Sequence, residues 1–252
     1  MALNQTLIGS YSVFLSDTTS TNDALKLLFA KEALPEGAVM HAAHQTSGRG
    51  QQNAVWESEP EKNLLMSVLL KPAFLKADEQ LWLNVCVSLA INYTVSELCG
   101  KTSFIKWPND IYLDHHKIAG TLIENVLQGN KIKYSIIGIG LNVNQLDFKT
   151  EKAISLSLST GNSLDLAIVR QTLCANLDHY YSLLKQKQWE LLWNLYHQNL
   201  YGKGEMAHFI WKGEKITAQI LGLDRQGRLH LLINEEVKSF ANKEVTFLSL
   251  IP

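Results

Sequence analysis

Cysteine is scarce in this chain. Three occur in 252 residues, Cys86, Cys99 and Cys174, with no Cys-x-x-Cys and no paired spacing. They indicate neither a disulfide framework nor a thiolate zinc site. An excess of charge of one sign is also missing: 23 Lys and Arg stand against 24 Asp and Glu, a net charge of −1. That argues against a broad nucleic-acid-binding surface. No basic N-terminal segment leads into an apolar core, and no apolar run approaches membrane-spanning length. A reducing cytoplasm is the expected compartment, so the sequons Asn4-Gln5-Thr6 and Asn92-Tyr93-Thr94 carry no weight. Repeats and low-complexity tracts are absent. What remains is an ordinary globular composition, 46% hydrophobic and 19% charged, long enough for one large or two unequal domains.

Strand and helix patterns alternate irregularly up to residue 200. Tyr11 to Leu15 reads as a strand. Ser20 or Thr21 is placed to cap a helix through Ala24–Phe29. Residues 63–70 read as a buried strand. Residues 80–98 read as a helix, apolar but for Asn84, Ser88, Asn92 and Ser96; those four recur every fourth position as one narrow uncharged stripe. Residues 131–138 read as another strand. Ser163 is expected to cap a helix carrying Leu166, Val169, Leu173, Leu177, Tyr180 and Leu184, with a further helix around Trp189–Tyr196. After Tyr201-Gly202-Lys203-Gly204 the pattern changes to short alternating segments at 207–211, 215–223, 228–233 and 237–240, separated by turn residues. The expected organisation is a domain over 1–200 and a small all-β module over 201–252, the latter needing to pack on the former.

Two stretches carry chemistry. Lys106-Trp107-Pro108-Asn109-Asp110-Ile111 forms a turn entering a strand, since Pro108 and Asn109 favour that geometry. Asp114-His115-His116 reads as a hairpin tip, and Lys117-Ile118-Ala119-Gly120-Thr121-Leu122-Ile123-Glu124 as the return strand. Strand alternation puts Lys117 on the face of Ala119, Thr121 and Ile123. A lysine over small residues near an aspartate suits an anionic ligand and a metal; the same residues also fit a charged surface hairpin. The second stretch is Gln45-Thr46-Ser47-Gly48-Arg49-Gly50-Gln51-Gln52-Asn53. Glycines flanking Arg49 let backbone N–H groups converge on a phosphate or carboxylate. Two tempting motifs fail. Gly100-Lys101-Thr102 has Val95 where a P-loop needs its first glycine, and Gly138-Ile139-Gly140 has Val143 where a dinucleotide fingerprint needs its third.

These stretches, with Ser20-Thr21-Asn22 and Gly138-Ile139-Gly140-Leu141-Asn142-Val143-Asn144, resemble the biotin protein ligases, the biotin–[acetyl-CoA-carboxylase] ligases. The four motifs fall in the family's order from about residue 11 to the C-terminus. The resemblance implies an α+β catalytic domain, a mixed central sheet with flanking helices of the class II synthetase type, and a small C-terminal SH3-like β-barrel. It also implies a monofunctional member, because only about ten residues precede the first strand and the DNA-binding domain of the bifunctional members has no counterpart. The implied partners are biotin, ATP, Mg²⁺ and the biotin carboxyl carrier protein of acetyl-CoA carboxylase, with no nucleic acid and no membrane. A monomer or weak homodimer is expected, with exposed strand edges available to pair two chains or the enzyme with its acceptor.

In the resembling enzymes biotin's carboxylate attacks the α-phosphorus of ATP, and an acceptor lysine then attacks the biotinyl-5′-AMP formed. On this pattern Lys117, Arg49 and Asp110 are catalytic, with Asp110 also steering Mg²⁺ through the phosphates. Ser20, Thr21, Asn22, Gln45, Arg49, Gly50, Gln51 and Lys117 would bind biotin. Arg49, Lys106, Trp107, Asn109, Asp110, Lys117 and Asn142 would face ATP and the adenylate; Asn144 is expected to shape a turn. The rivals are a lipoate or octanoate ligase of the same superfamily and a non-catalytic biotinyl-adenylate sensor. The polar set Ser20, Thr21 and Gln45 favours biotin. The chain departs from the family at Gln51, where many members carry a second loop arginine, and at Gln52 and Asn53, where glycine is common. Losing that arginine removes a charge and a bidentate donor. A weaker electrostatic grip on the adenylate is therefore expected, with either easier loss of the intermediate or tighter control by loop closure, and unchanged adenylate dissociation and ligation rates in Gln51→Arg would refute it.

Overall fold

A computed structural model of the chain describes residues 7–51 and 54–251. Gln52, Asn53 and the Asn4 sequon lie outside the described residues. Strands β1 (Ser12–Thr18), β2 (Val39–Gln45), β3 (Asn63–Leu70), β4 (Phe104–Lys106), β5 (Asp110–Leu113), β6 (His116–Gln128) and β7 (Lys131–Asn142) form one sheet in the order β1-β2-β3-β7-β6-β5-β4. Only β1 and β2 pair in parallel, joined across helix α1 (Thr21–Lys31); the other pairs are antiparallel. Helices α2 (Gln80–Cys99), α3 (Leu156–Thr160), α4 (Leu166–Lys185) and α5 (Trp189–Gln198) cover one sheet face. Helix α1 covers part of the other, where Leu25, Met40, Leu69 and Ile136 form a second cluster. All eight residues of β3 are buried because both of its faces are covered, which is why it reads as an unbroken apolar run.

The helical stretch Ala77–Cys99, α2 with the short turn before it, is long and apolar enough to cross a membrane by length and composition, against the expectation of no such stretch. It is instead the core helix, packed against α4 and α5 with eleven residues buried. Three of the four residues of its polar stripe have a function in packing, while the Ser88 hydroxyl is buried without a partner among the described residues. Asn84 Nδ2 donates to the Pro108 carbonyl at 2.9 Å. The Ser103 hydroxyl sits 2.8–2.9 Å from the Asn92 carbonyl, Asn92 Oδ1 and Ser96 Oγ, and the Ser103 N–H donates to Ser96 Oγ. Polar groups buried beside an apolar helix need such partners. The stripe thus pins residues 103–108 and sets where β5 begins.

Four elements differ from expectation. Asp165, not Ser163, caps α4, its carboxylate accepting from the Ala167 N–H at 2.7 Å. Asn144 explains the difference, since its amide bonds both the carbonyl and the N–H of Leu164 and holds that residue outside the helix. Strand β4 and helix α3 are too short to show a period. The hairpin tip is the two-residue Asp114-His115, both at positive φ, with His116 already in the strand. The outer edge of β4 is covered by residues 199–201, leaving β1 as the open edge of this sheet among the described residues.

Beyond residue 205, β8 (Met206–Trp211), β9 (Glu214–Leu223), β10 (Leu229–Ile233), β11 (Glu236–Phe240) and β12 (Val245–Leu250) form an antiparallel sheet in the order β11-β10-β9-β8-β12. Strand β12 carries no strong alternation and escaped the sequence. The apolar core runs unbroken from the large sheet into this one. Polar links reinforce the junction: Trp107 Nε1 donates to the Gly227 carbonyl at 2.9 Å, and His197 bridges α5 to β9.

That histidine contacts the Trp193 carbonyl through Nδ1 at 3.0 Å, while its Nε2 accepts from the Leu223 N–H at 3.1 Å. The arrangement requires the neutral Nδ1–H tautomer, and burial lowers its pKa further. A histidine depressed in the folded state contributes stability above its unfolded value and loses it as pH falls through that value. Denaturant midpoints should therefore drop below about pH 6.5, and His197→Gln should remove that part of the pH dependence. An unchanged profile in the variant would refute the link.

Candidate functional site

The face of the large sheet beside α1 has two rows of residues lying opposite one another. One runs Ala42, Leu65, Gly140, Gly120 and Asp110 from β2 to β5; the next runs Met40, Ser67, Gly138 and Leu122. Three glycines sit where side chains would otherwise stand. A Cβ on Gly138 would lie 2.5 Å from Asn22 Oδ1, and one on Gly140 would run into the Trp56 indole. The glycines form a floor on which Asn22, Trp56, Lys117 and Asp110 approach the sheet closely, and these groups line a cavity of about 290 Å³.

Lys117 reaches this floor by a route the sequence reading missed. The β5–β6 pairing shifts so that Ile111 faces Ala119 while Tyr112 faces Lys117, leaving Ile118 as an extra, fully buried residue. A bulge of one residue breaks strict alternation. Lys117 therefore lies not over Ala119 and Thr121, as expected, but beside Gly120. A Cβ on Gly120 would sit 3.2 Å from both Lys117 Nζ and Asp110 Oδ1. Those two atoms pair at 2.6 Å, and the Trp56 ring lies 5.5 Å from Lys117 Nζ. Asn109 fixes the approach: its side chain donates to the Thr121 carbonyl at 2.5 Å, and its own carbonyl accepts from the Thr121 N–H.

At the opposite end of the cavity Thr21, Gln45, Asn22 and Ser67 form an uncharged polar network, beside a charged cluster of Asp23, Lys26, Arg49 and Glu124. Gln45 Oε1 accepts from both the N–H and the hydroxyl of Thr21, at 2.8 and 3.1 Å, which commits its oxygen and leaves its amide N–H groups to donate. Ser67 lies 2.7 Å from Thr21 Oγ1 and 2.6 Å from Asn22 Oδ1. Ser20 occupies the N-cap of α1 without capping it through its side chain; the residue is buried and lines the cavity. Asn22 Nδ2 donates to Glu124 Oε2 at 2.6 Å, and Lys26 pairs with Glu124 at the same distance. Burial would raise the Glu124 pKa, but the Lys26 and Asn22 hydrogen bonds, with the charges of Lys26 and Arg49, hold it below the usual value. Arg49 pairs with Asp23 at 2.5 Å, so the glycine-flanked loop is tied to α1. Backbone bonds from Gly50 to Ala54 and from Trp56 to Gly48 close that loop on itself.

Ten of the residues expected at a site line this one cavity: Ser20, Thr21, Asn22, Gln45, Arg49, Gly50, Gln51, Asn109, Asp110 and Lys117. Three do not. Asn142 turns to the Ile154 carbonyl at 3.0 Å, with its Oδ1 buried and unpartnered among the described residues. Trp107 is held by Gly227. Lys106 lies over the Tyr112 and Phe247 rings, where burial, aided by the Lys117 and Lys152 charges and opposed by Asp110, lowers its pKa. Sequence reasoning overlooked Trp56, Ser67, Glu124, Asn242 and Lys243. Ser67 did leave a signal, as the one hydroxyl in an apolar strand interior. Asn242 and Lys243 come from the turn before β12 and left none. Among the described residues, no three His, Cys, Asp or Glu side chains converge to hold a metal.

The family model described as "Biotin/lipoate A/B protein ligase family" matches residues 14–142. The bifunctional ligase/repressor BirA of Bacillus subtilis is 32% identical over an alignment covering 96% of this chain and 76% of that protein. The biotin–[acetyl-CoA-carboxylase] ligase of Mycobacterium tuberculosis is also 32% identical, over 57% of this chain and 55% of its own length. The biotin protein ligase of Aquifex aeolicus solved with biotin and ATP aligns with a TM-score of 0.79 at 26% identity, covering 95% of this chain and 99% of that one.

The glycine floor makes a direct prediction. Gly140→Ala should push the Trp56 indole out of the cavity, shifting tryptophan emission and costing about 1–3 kcal/mol of stability. Unaltered emission and unfolding would show that the floor has room for a side chain.

Proposed function

The chain is a biotin protein ligase of the biotin/lipoate A/B protein ligase family, and we propose that it works through biotinyl-5′-AMP and delivers biotin to a lysine of the biotin carboxyl carrier protein of acetyl-CoA carboxylase. One observation carries this reading. A single cavity holds a lysine–aspartate pair at one end and the uncharged Thr21–Gln45 pair, backed by Ser67, at the other. Biotin has the same division, an anionic carboxylate at one end and a neutral ureido ring at the other. The glycine floor between them, with the Trp56 indole packed on it at Gly140, suits a fused ring.

The ureido group offers two N–H donors and one carbonyl acceptor. Gln45, with its oxygen committed to Thr21, has its amide N–H groups for the carbonyl, while the Ser20 hydroxyl and Asn22 stand ready for the ring's N–H groups. The carboxylate then lies beside Lys117. A carboxylate oxygen lone pair forms a bond to the α-phosphorus of ATP, the bond from that phosphorus to the bridging oxygen breaks, and the electron pair leaves on pyrophosphate. Negative charge concentrates between the reacting groups, and Lys117 is the cation fixed there. Asp110 positions the lysine, and also suits a Mg²⁺ carried by the phosphates, because such an ion needs few protein ligands. In the second half-reaction the neutral amine of the acceptor lysine attacks the anhydride carbonyl, loses a proton, and AMP departs with the bonding pair. Preorganised charge and positioning supply the rate, with no covalent enzyme intermediate. We assign residues 1–200 to the catalytic domain, residues 201–252 to a C-terminal domain walling its cavity, and the whole to the cytoplasm.

The test is biotin-dependent exchange of labelled pyrophosphate into ATP with Mg²⁺. Wild type should exchange with biotin and not with lipoate. Lys117→Ala should lower exchange by at least about 100-fold, the loss typical of one preorganised charge-stabilising group. Exchange driven by lipoate would move the substrate to a linear acyl chain. Tight biotin binding without exchange would make the protein a sensor.

A further inference from the structure

We propose that Lys243, carried by the C-terminal sheet, is the cation that binds the pyrophosphate portion of ATP in this cavity. The inference rests on the ATP-dependent reading above. Three cationic side chains line the cavity: Arg49, Lys117 and Lys243. Two are committed. Arg49 pairs with Asp23, and Lys117 pairs with Asp110. Among the described residues Lys243 is the one of the three that makes no ion pair. A nucleoside triphosphate brings close to four negative charges, and only the charge at the reacting centre falls to Lys117.

The position of Lys243 fits that part of the ligand. Along the floor the order runs from Thr21, Asn22 and Ser67 beside Gly138, to Lys117 and Asp110 beside Gly120. Past Asp110 the wall continues through Pro108 to Asn242 and Lys243, which line both this cavity and the neighbouring one at the sheet junction. A ligand with its neutral ring at Gly138 and its carboxylate at Lys117 therefore extends its phosphates toward Lys243.

The turn bearing Lys243 is built for presentation. Its backbone is left-handed, with φ +71°, a conformation that costs a side-chain-bearing residue energy and favours glycine. The adjoining residues are fixed. Glu244 accepts from the Ala241 N–H at 2.7 Å and pairs with Arg228 at 3.0 Å, and Asn242 Nδ2 donates to Gln51 Oε1 at 3.0 Å. That last bond joins the turn to the glycine-flanked loop. The neutral Gln51 side chain thus anchors the turn, and the phosphate-facing charge comes from the C-terminal sheet instead. In the adenylation step, Lys243 stabilises the pyrophosphate that takes the electron pair of the broken phosphorus–oxygen bond.

The experiment compares wild type, Lys243→Gly and Lys243→Arg in full-length protein by biotin-dependent pyrophosphate exchange. Glycine suits the left-handed backbone, so Lys243→Gly should keep or raise the melting temperature. It should raise KM for both ATP and pyrophosphate about tenfold, the effect of losing one ~1.4 kcal/mol contact. Biotin affinity, measured separately by calorimetry, should stay within twofold, and Lys243→Arg should restore most of the loss. Equal KM values for ATP and pyrophosphate in wild type and Lys243→Gly would overturn this inference alone. Absence of exchange in the wild type would overturn the reading beneath it as well.

Discussion

A buried helix that carries polar groups can sit in only one way, and this fold is organised around such a helix. Asn92 of α2 is buried and Asn84 and Ser96 are half-buried, and each finds its partner on the short segment from Ser103 to Pro108. Sliding or rotating the helix would break all three contacts and leave the buried Asn92 unsatisfied, at a cost of about 1–3 kcal/mol for that group. The register that satisfies them also places Asn109 against Thr121 and starts β5 at Asp110. Packing energy in the core is thereby converted into the position of a carboxylate on the far side of the sheet.

Two local irregularities complete the arrangement. The extra residue at Ile118 turns Lys117 onto the face that Asp110 occupies, and the glycines at 120, 138 and 140 clear that face of side chains. Neither would suffice alone. Without the bulge the lysine would point to the opposite surface, and without the glycines the lysine and aspartate would meet over a filled floor. The walls come from elsewhere: α1 with its Thr21 and Asn22, the Arg49 loop held by Asp23, and the turn at Asn242 and Lys243.

Most of this was legible from residue order. The apolar run of β3, the every-fourth-residue stripe of α2, and the turns around Pro108 and after Tyr201 each state a local rule that the chain obeys. Ten of the expected site residues gather in one cavity because the motifs sit at strand ends that the sheet aligns. The remainder was not legible, for identifiable reasons. A bulge depends on how two strands pair, so alternation along one strand misplaced Lys117. The cap of α4 moved to Asp165 because Asn144, twenty residues earlier, holds Leu164. Lys106 and Trp107 belong to the strongest motif yet face the junction of the two sheets, since Gly227 and Phe247 supply their partners from beyond residue 220. Lys243 is one unremarkable lysine until folding brings its turn to Gln51.

A floor made of main chain has no rotamers. Its shape cannot be retuned by a single substitution of modest size, because any added atom enters occupied space and the strands beneath it are hydrogen-bonded on both edges. Adaptation to a different acyl group would have to act through the walls, where Thr21, Gln45, Trp56 and the turn at Lys243 have side-chain freedom. The thickness of the ligand is set by the sheet, and its length and polarity by segments that can change without disturbing the sheet.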